Sequence, residues 1–210
     1  PMGHSMWETR DKSWGEQVQE LADVREAWRK NPLARRIVGL VTAYVVGNGV
    51  TVTSEYRPLK KFIAAWWVAN RMDLRLADWC DALTREGELF VVLYPARDGM
   101  TQVRVRPASI IDEVRVNPED YEDEWLYHDV TLGFADDDAS WWRAPSQAGA
   151  AASSAGQPVM LHYAINRPVG SIRGESDLAP ILPWLQRYSG WLQDRVRLNA
   201  GVRAFLWVVN

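Results

Sequence analysis

The stretch LHYAINRPVGSIRGESDLAPILPWL, residues 161–185, decides the fold, because its sequence pattern changes twice, from strand to loop and from loop to helix. Its first residues alternate apolar and polar side chains, which is typical of a β-strand. A loop marked by proline, glycine and two arginines, Arg167 and Arg173, follows. Ser176 and Asp177 then supply side chains that begin helices. The stretch therefore predicts a strand, an arginine loop and a long helix.

The predicted helix covers residues 176–199 and would be about 35 Å long at about 1.5 Å per residue. A second apolar line runs through Leu182 and Trp191. Pro183 would remove a hydrogen bond from an established helix, so we expect a kink or a fresh start there. Other apolar residues recur in steps of three and four, which predicts a seam for packing against another helix, such as that of a neighbouring subunit. The seam consists of Leu178, Ile181, Leu185, Tyr188 and Leu192.

Upstream, the chain up to Gly87 predicts four helices. Ser13 and Glu16 form the pattern of a capping box before the first helix. Asn31 and Pro32 are typical of the start of a second helix. Because this second helix is apolar almost all round, we expect it to be buried on several sides. A short strand is expected at residues 50–53.

From residue 88 the hydrophobic period changes to two, which predicts strands. We expect them at residues 89–94, 103–106, 110–116, 125–134 and 159–165, with a tight turn at Asp98-Gly99. Residues 144–158 are small and of low complexity, and predict a flexible excursion. The last nine letters, VRAFLWVVN, predict a terminal strand. The fold class is therefore α+β: N-terminal helices, an antiparallel sheet, a long C-terminal helix and a terminal strand.

Composition excludes several classes of protein. A formal charge of -3 over 210 residues argues against binding nucleic acid through bulk positive charge, although passive contact with DNA is allowed. The single cysteine rules out an intrachain disulfide, and intracellular synthesis is the default expectation. The longest apolar stretch, residues 37–50, is shorter than the roughly 20 residues that span a bilayer. The 12 tryptophans are compatible with core packing or with subunit or ligand contacts.

Catalytic signatures are not visible in the sequence. His128 and His162 do not have metal-ligand spacing from each other or from Cys80. The acidic runs at residues 122–124 and 136–138 are interpreted as solvated ends of strands. We therefore expect no catalytic, cofactor or metal site, and a protein that is not an enzyme.

Two segments carry a family resemblance: HYAINRPVGSIRGESDLAPILPWLQRYSGWLQDRVRLN, residues 162–199, and AFLWVV, residues 204–209. With a weaker match at residues 34–50, the chain resembles the portal (connector) proteins of tailed bacteriophages, in particular those of actinobacterial phages. The order of strand, arginine loop, Gly-x-Ser-x-Leu and long helix is the specific part of the resemblance. The N-terminal match is only a helix pattern.

The resemblance implies a ring of subunits, typically twelve, at one capsid vertex, through which DNA is packaged and ejected. Residues 1–6 would be a cloning remnant, residues 7–165 a wing-like α+β domain, and residues 166–210 the arginine loop, a first stem helix and the start of a missing clip. The implied partners are copies of the chain itself, the major capsid or scaffolding protein, the packaging terminase through the absent clip, and double-stranded DNA bound non-specifically, with no membrane. The implied location is the virion, after assembly in the bacterial host cytoplasm.

Two alternatives stay open at this point. Arg167 and Arg173 could contact a phosphate or an acidic neighbour, or simply belong to a solvated loop shaped by Pro168, Gly170 and Gly174. The second function to consider is a tryptophan-rich module that binds carbohydrate or nucleic acid by stacking, which would need exposed tryptophans on one face of the sheet.

Overall fold

Four helices form the N-terminal part of the computed structural model, which describes residues 11–148 and 156–206. They are α1 (Trp14–Lys30), α2 (Pro32–Val45), α3 (Arg57–Ala69) and α4 (Met72–Glu86). The predicted capping box is confirmed, because Ser13 and Glu16 satisfy each other's backbone N–H groups. Asn31 caps α2 by accepting a hydrogen bond from the backbone N–H of Leu33.

The expectation that α2 is buried on several sides is wrong. Only Ala34 and Val38 of this helix are buried, whereas Leu33, Tyr44 and Val45 are exposed. An apolar composition does not distinguish a helix enclosed by its own domain from one that leaves a face open. The strand expected at residues 50–53 also does not form, since no described strand pairs with this exposed segment.

A six-stranded sheet makes up the centre of the fold, in the order β2-β1-β6-β5-β4-β3. The strands are β1 (Glu88–Tyr94), β2 (Gln102–Arg106), β3 (Ile111–Asn117), β4 (Asp120–Asp129), β5 (Trp141–Arg143) and β6 (Val159–Ala164). The predicted α+β class is confirmed, but the sheet is not wholly antiparallel, because β5 and β6 are parallel. The sequence pattern does not predict the short β5, and β4 ends at Asp129, earlier than expected.

Helices cover both faces of the strands β1 and β6. On one face, Leu21 of α1 packs with Phe90, Val92 and Met160. On the other face, Leu89, Val91 and Val103 pack against the helical layer that includes Trp66 of α3 and Trp79 of α4. These opposed layers hold β6 in the middle of the molecule, and the chain leaves β6 toward its last helix.

The C-terminal part is a loop, a 3-10 turn (Ala179–Ile181) and α6 (Leu182–Leu206). Pro183 lies in the first turn of α6, so the expected fresh start is confirmed. The predicted terminal strand is wrong where it is described, because the chain is helical up to Leu206; residues 207–210 lie outside the described residues. The expected excursion begins with a short helix, α5 (Pro145–Ala148), and its residues 149–155 also lie outside. Among the described helices, none has the length and apolar content needed to cross a bilayer.

Candidate subunit interface

The loop that leads into α6 is fastened to the end of α4 by direct backbone contact. A Cβ atom added to Gly174 would lie 2.1 Å from the carbonyl oxygen of Gly87, so only glycine fits. The Ser176 hydroxyl donates to the Arg85 carbonyl at 2.6 Å and accepts from the N–H groups of Leu178 and Ala179. One serine therefore both fixes the loop and satisfies the first turn of the following helix.

Arg173 is buried in the middle of the same loop. Its Nε donates to Glu88 Oε2 at 2.8 Å and its Nη2 to Glu88 Oε1 at 2.5 Å. Its Nη1 donates to the Ile111 carbonyl at 2.8 Å. Two oxygens of Glu88 thus face the guanidinium fork, the geometry in which Arg-carboxylate pairs are strongest. The sequence left a phosphate, an acidic neighbour or a solvated loop open for Arg173; the structure pairs it with a carboxylate of its own chain.

Arg167 is partly exposed at the other side of the loop. Its Nη1 lies 3.6 Å from Glu124 Oε1, and the same carboxylate lies 3.0 Å from His162 Nδ1. The His162 Nε2 atom is 3.4 Å from Glu88 Oε2, and its ring stacks on Phe90 with centroids 4.4 Å apart. Arg167 and Arg173 are therefore linked through one histidine and two carboxylates, and both expected anion contacts are intramolecular.

This network shifts two protonation equilibria. Burial alone would raise the pKa of Glu88, but the Arg173 guanidinium and the His162 ring outweigh it, so the pKa lies below its ordinary value of 4.5. Burial alone would lower the pKa of His162, but the hydrogen bond to Glu124 and the nearby Glu88 carboxylate outweigh it and raise the pKa above 6.5. The charged forms of both residues are therefore favoured inside the fold.

The predicted seam divides into two halves. Leu178 and Leu185 are buried against Val24, Ala34 and Val38 of α1 and α2. Ile181 is partly buried in the same cluster. The first half of the seam thus attaches α6 to helices of its own domain, which corrects the expectation that all five residues meet a neighbouring subunit.

The described residues leave the second half of the seam exposed. Every residue from 186 to 203 is exposed, including Tyr188 and Leu192. Trp184 is 67% exposed and Trp191 is 55% exposed. Tryptophan normally buries most of its surface, so these two side chains are unusual. At about 1.5 Å per residue, the part of α6 beyond Leu185 is about 30 Å long.

The exposed part of α6 carries two apolar lines on different sides. Tyr188, Leu192 and Val196 continue the predicted seam. The members of the second line are spaced by seven and four residues, so they share one face of the helix. This second line consists of Trp184, Trp191, Leu198 and Val202. Arg187 stacks over Trp184 and Arg195 over Trp191, with guanidinium-to-centroid distances of 5.3 and 5.7 Å.

The described residues offer little chemistry beyond this surface. No group of three or more His, Cys, Asp or Glu residues among them could hold a metal ion. The two histidines outside the N-terminal segment each face carboxylates of the fold, His128 at Asp112 and His162 at Glu88 and Glu124. Carboxylates of the domain therefore hold one face of each histidine, while the Nε2 atoms of His128 and His162 form no hydrogen bond with any described residue.

Sequence reasoning finds only part of this surface. The predicted line through Leu182 and Trp191 is wrong, because Leu182 packs in the cluster of Leu178 and Leu185 whereas Trp191 is exposed. Nine residues separate the two, which places them on opposite sides of the helix. The sequence reasoning does not connect Trp191 to Trp184 and Leu198, although their seven-residue spacing would show the connection. It misses Glu88 and Glu124 as partners of the arginines, since they are far away in sequence.

Comparison with known proteins adds no relative. No protein-family model matches the chain, and no curated protein matches it significantly.

Proposed function

We propose that this chain is a structural, non-enzymatic subunit of a phage portal ring, which forms the DNA channel at one vertex of the capsid and serves in genome packaging and ejection. Its partners are copies of itself, the major capsid or scaffolding protein, the packaging terminase and double-stranded DNA that passes without sequence preference. Its location is the virion, at the portal vertex.

The observation that carries the proposal is the exposed half of α6. A contiguous, exposed apolar surface marks a site of protein contact, because soluble monomers rarely leave such a surface in water. Here two apolar lines run along the part of α6 beyond Leu185, which the described residues of its own domain leave exposed. In a larger assembly, a neighbouring subunit would cover these apolar lines.

The arrangement of the domain agrees with the resemblance in the sequence. An α+β body leads through a firmly attached loop into a projecting helix, which corresponds to a wing followed by a stem. The buried half of the seam fixes the helix at its base, while the exposed half remains available to a neighbour. A stem helix needs both properties, because its base belongs to one subunit and its remaining length contacts the next subunit.

Contacts with DNA would be loose in this function. The two loop arginines are already paired with Glu88 and Glu124, so they add little free charge. A chain with a net charge of -3 gains little from counterion release on phosphate. Weak binding is what a channel needs if DNA is to slide through it.

The positions of the tryptophans give less support to the alternative function, a module that binds carbohydrate or nucleic acid by stacking. On the sheet, Trp141 lies under the Arg115 guanidinium at 3.9 Å, and Trp142 donates to Asp129. Trp184 and Trp191, which are more than half exposed, lie on α6 instead. A sheet platform for sugar rings or bases would need the opposite distribution.

Negative-stain electron microscopy of the purified protein, together with its sedimentation profile, tests the proposal. Closed rings with a central hole are expected, and they should be lost when Trp184 and Trp191 are both changed to Ser. Leu74→Ser, at another exposed apolar position, is the matched control and should keep the rings. Uniform monomers at every concentration would contradict the proposed function.

A further inference from the structure

A groove runs along the base of α6, between this helix and the junction of α1 with α2. Its volume is about 780 Å³. Leu33, Leu185 and Leu192 give it apolar walls, and two carboxylates, Asp23 and Glu26, lie on its α1 side with one ammonium group, that of Lys30. A groove with apolar walls and a margin of net negative charge suits an amphipathic helix that carries basic residues.

The opposite side of α6 has the complementary chemistry. Ser189 lines the groove, and Trp191 follows it by two residues, which is a little more than half a helical turn. Trp191 is therefore directed away from Ser189 and does not line the groove, although its ring stacks on that of the groove residue Tyr188 with centroids 6.0 Å apart. The face around it is apolar and is flanked by the guanidinium groups of Arg187 and Arg195. We call this side, defined by Trp184, Trp191, Leu198 and Val202, the tryptophan face.

We propose that the tryptophan face of one copy docks into the groove of the next copy, so that subunits associate head to tail. This inference rests on the proposed ring function and names the contact that builds the ring. Because the two surfaces differ and lie on roughly opposite sides of the same helix, each subunit offers one of each. A contact of this heterologous kind repeats from copy to copy and closes into a ring when the rotation fits.

Charge favours this pairing over a contact between two tryptophan faces. Asp23 accepts a hydrogen bond from Gln19, and no basic side chain pairs with it among the described residues. Glu26 is paired only with the exposed Lys30 in that part of the chain. Arginines that arrive with the tryptophan face would meet these carboxylates, whereas two tryptophan faces would bring Arg187 and Arg195 against their own copies.

Two variants, each damaging one surface, test the proposal. The face variant carries Trp191→Glu and Leu198→Glu, and the groove variant carries Asp23→Lys and Leu33→Lys. All four side chains are exposed, so both variants should fold, which circular dichroism and thermal unfolding would verify. Leu74→Glu is the matched control and should assemble like the unchanged protein.

The decisive measurement is the mass in solution of each variant alone and of their equimolar mixture, by sedimentation velocity. Each variant alone should remain a monomer. The mixture should give one dimer, because it unites one intact face with one intact groove and then cannot grow. A mixture that stays monomeric while the unchanged protein assembles would overturn the proposal, and so would variants that assemble alone.

The same data separate this inference from the proposed function. Rings in the microscope with no dimer in the mixture would leave the portal function standing and remove the head-to-tail contact. A dimer in the mixture without closed rings of the unchanged protein would keep the contact and remove the ring. Monomers in every sample, the unchanged protein included, would overturn both.

Discussion

Arg173 shows how a single residue connects distant parts of the chain. It lies in the loop before α6, its carboxylate partner Glu88 begins β1, and its third hydrogen bond reaches the carbonyl of Ile111 at the start of β3. Gln17 of α1 donates to the same carboxylate at 3.0 Å. A loop that looks solvated in the sequence is therefore a junction of three elements.

Replacing Arg173 with methionine should destabilise the fold strongly. The change leaves Glu88 buried without its main partner, and breaking a buried ion pair in this way costs about 3–5 kcal/mol. We expect the lower end of that range, because His162 still faces Glu88. Urea denaturation gives the free energy of unfolding.

Arg197→Met is the control for this change. Its side chain is exposed on α6, so the free energy of unfolding should change by no more than about 0.5 kcal/mol. The double variant Arg173→Met with Glu88→Gln should recover part of the loss, since it removes the orphaned charge. Equal stability of the single variant and the unchanged protein would contradict the role of this pair.

The buried network also predicts a two-sided dependence of stability on pH. The fold holds the pKa of Glu88 below 4.5, so its contribution is present above that pH and is lost as the pH falls through the folded pKa. The fold holds the pKa of His162 above 6.5, so its contribution is complete below that pH and is lost as the pH rises through the folded pKa. The free energy of unfolding should therefore be largest between the two limits.

Urea denaturation at a series of pH values measures this profile. In the variant His162→Gln the alkaline loss should become smaller, while the acid loss due to Glu88 remains. Asp194→Asn, at an exposed position of α6, should leave both limbs unchanged. An alkaline limb of the same size with and without His162 would exclude this histidine as its source.

The contact between the end of α4 and the loop before α6 leaves no space for a Cβ atom at either of its glycines. Gly87 has a φ of +82°, a conformation that favours glycine. Gly174 approaches the Gly87 carbonyl, so neither position accommodates a side chain. This contact sets where the chain leaves the sheet and thus where α6 begins.

Gly174→Ala should therefore lower the free energy of unfolding by at least about 1–3 kcal/mol, the cost of forcing extra atoms into a packed region. The added methyl group would meet backbone atoms, which have little room to move. Gly39→Ala in the middle of α2 is the matched control, because nothing lies within 4 Å of its Cβ. That change should raise stability by about 0.5–1 kcal/mol, and thermal unfolding of both variants would compare them.

The elements themselves are largely predictable, since their signals are local. The capping box at Ser13, the Asn31-Pro32 start and the alternation in β1 each depend on neighbours in sequence. The short β5 escapes prediction because three residues, among them Trp141 and Trp142, give no period to detect. The strand predicted for residues 202–210 is wrong as far as Leu206, where the described residues end, because this apolar run is equally typical of a strand and of a helix.

The candidate interface is less predictable, since it depends on what the rest of the chain covers. Nothing local distinguishes Leu185, which is buried by α1 and α2, from Leu192, which is exposed further along the same helix. For the same reason, the sequence of α2 predicts a helix buried on several sides, although the structure buries only Ala34 and Val38. The partners of Arg173 cannot be named from the sequence either, because Glu88 lies 85 positions away.

Over its described residues, the molecule consists of a packed body and a helix, α6, of which only the first turn is buried against that body. A helix without tertiary contacts is marginal in water, since most helical stability in proteins comes from packing. The part of α6 beyond Leu185 should therefore open often in an isolated subunit and become firm only in an assembly.

Hydrogen exchange measured by mass spectrometry would follow this change. Amides of residues 188–203 should exchange much faster than those of α4 in dilute protein, and they should slow markedly at concentrations where the protein assembles. The face variant with Trp191→Glu and Leu198→Glu should exchange fast at both concentrations. Equal protection of these amides in dilute and concentrated samples would contradict an interface on α6.

The way α6 is anchored has a mechanical consequence. A rod of about 30 Å, clamped at its base, turns a tilt of about 10° there into a displacement of about 5 Å at its tip. The base of α6 is held by the Ser176 hydroxyl together with Leu178 and Leu185. Small changes of side chain at these positions would therefore change the angle at which α6 leaves the body. The curvature and bore of any closed oligomer would then depend on side-chain packing at the base of α6 inside each subunit.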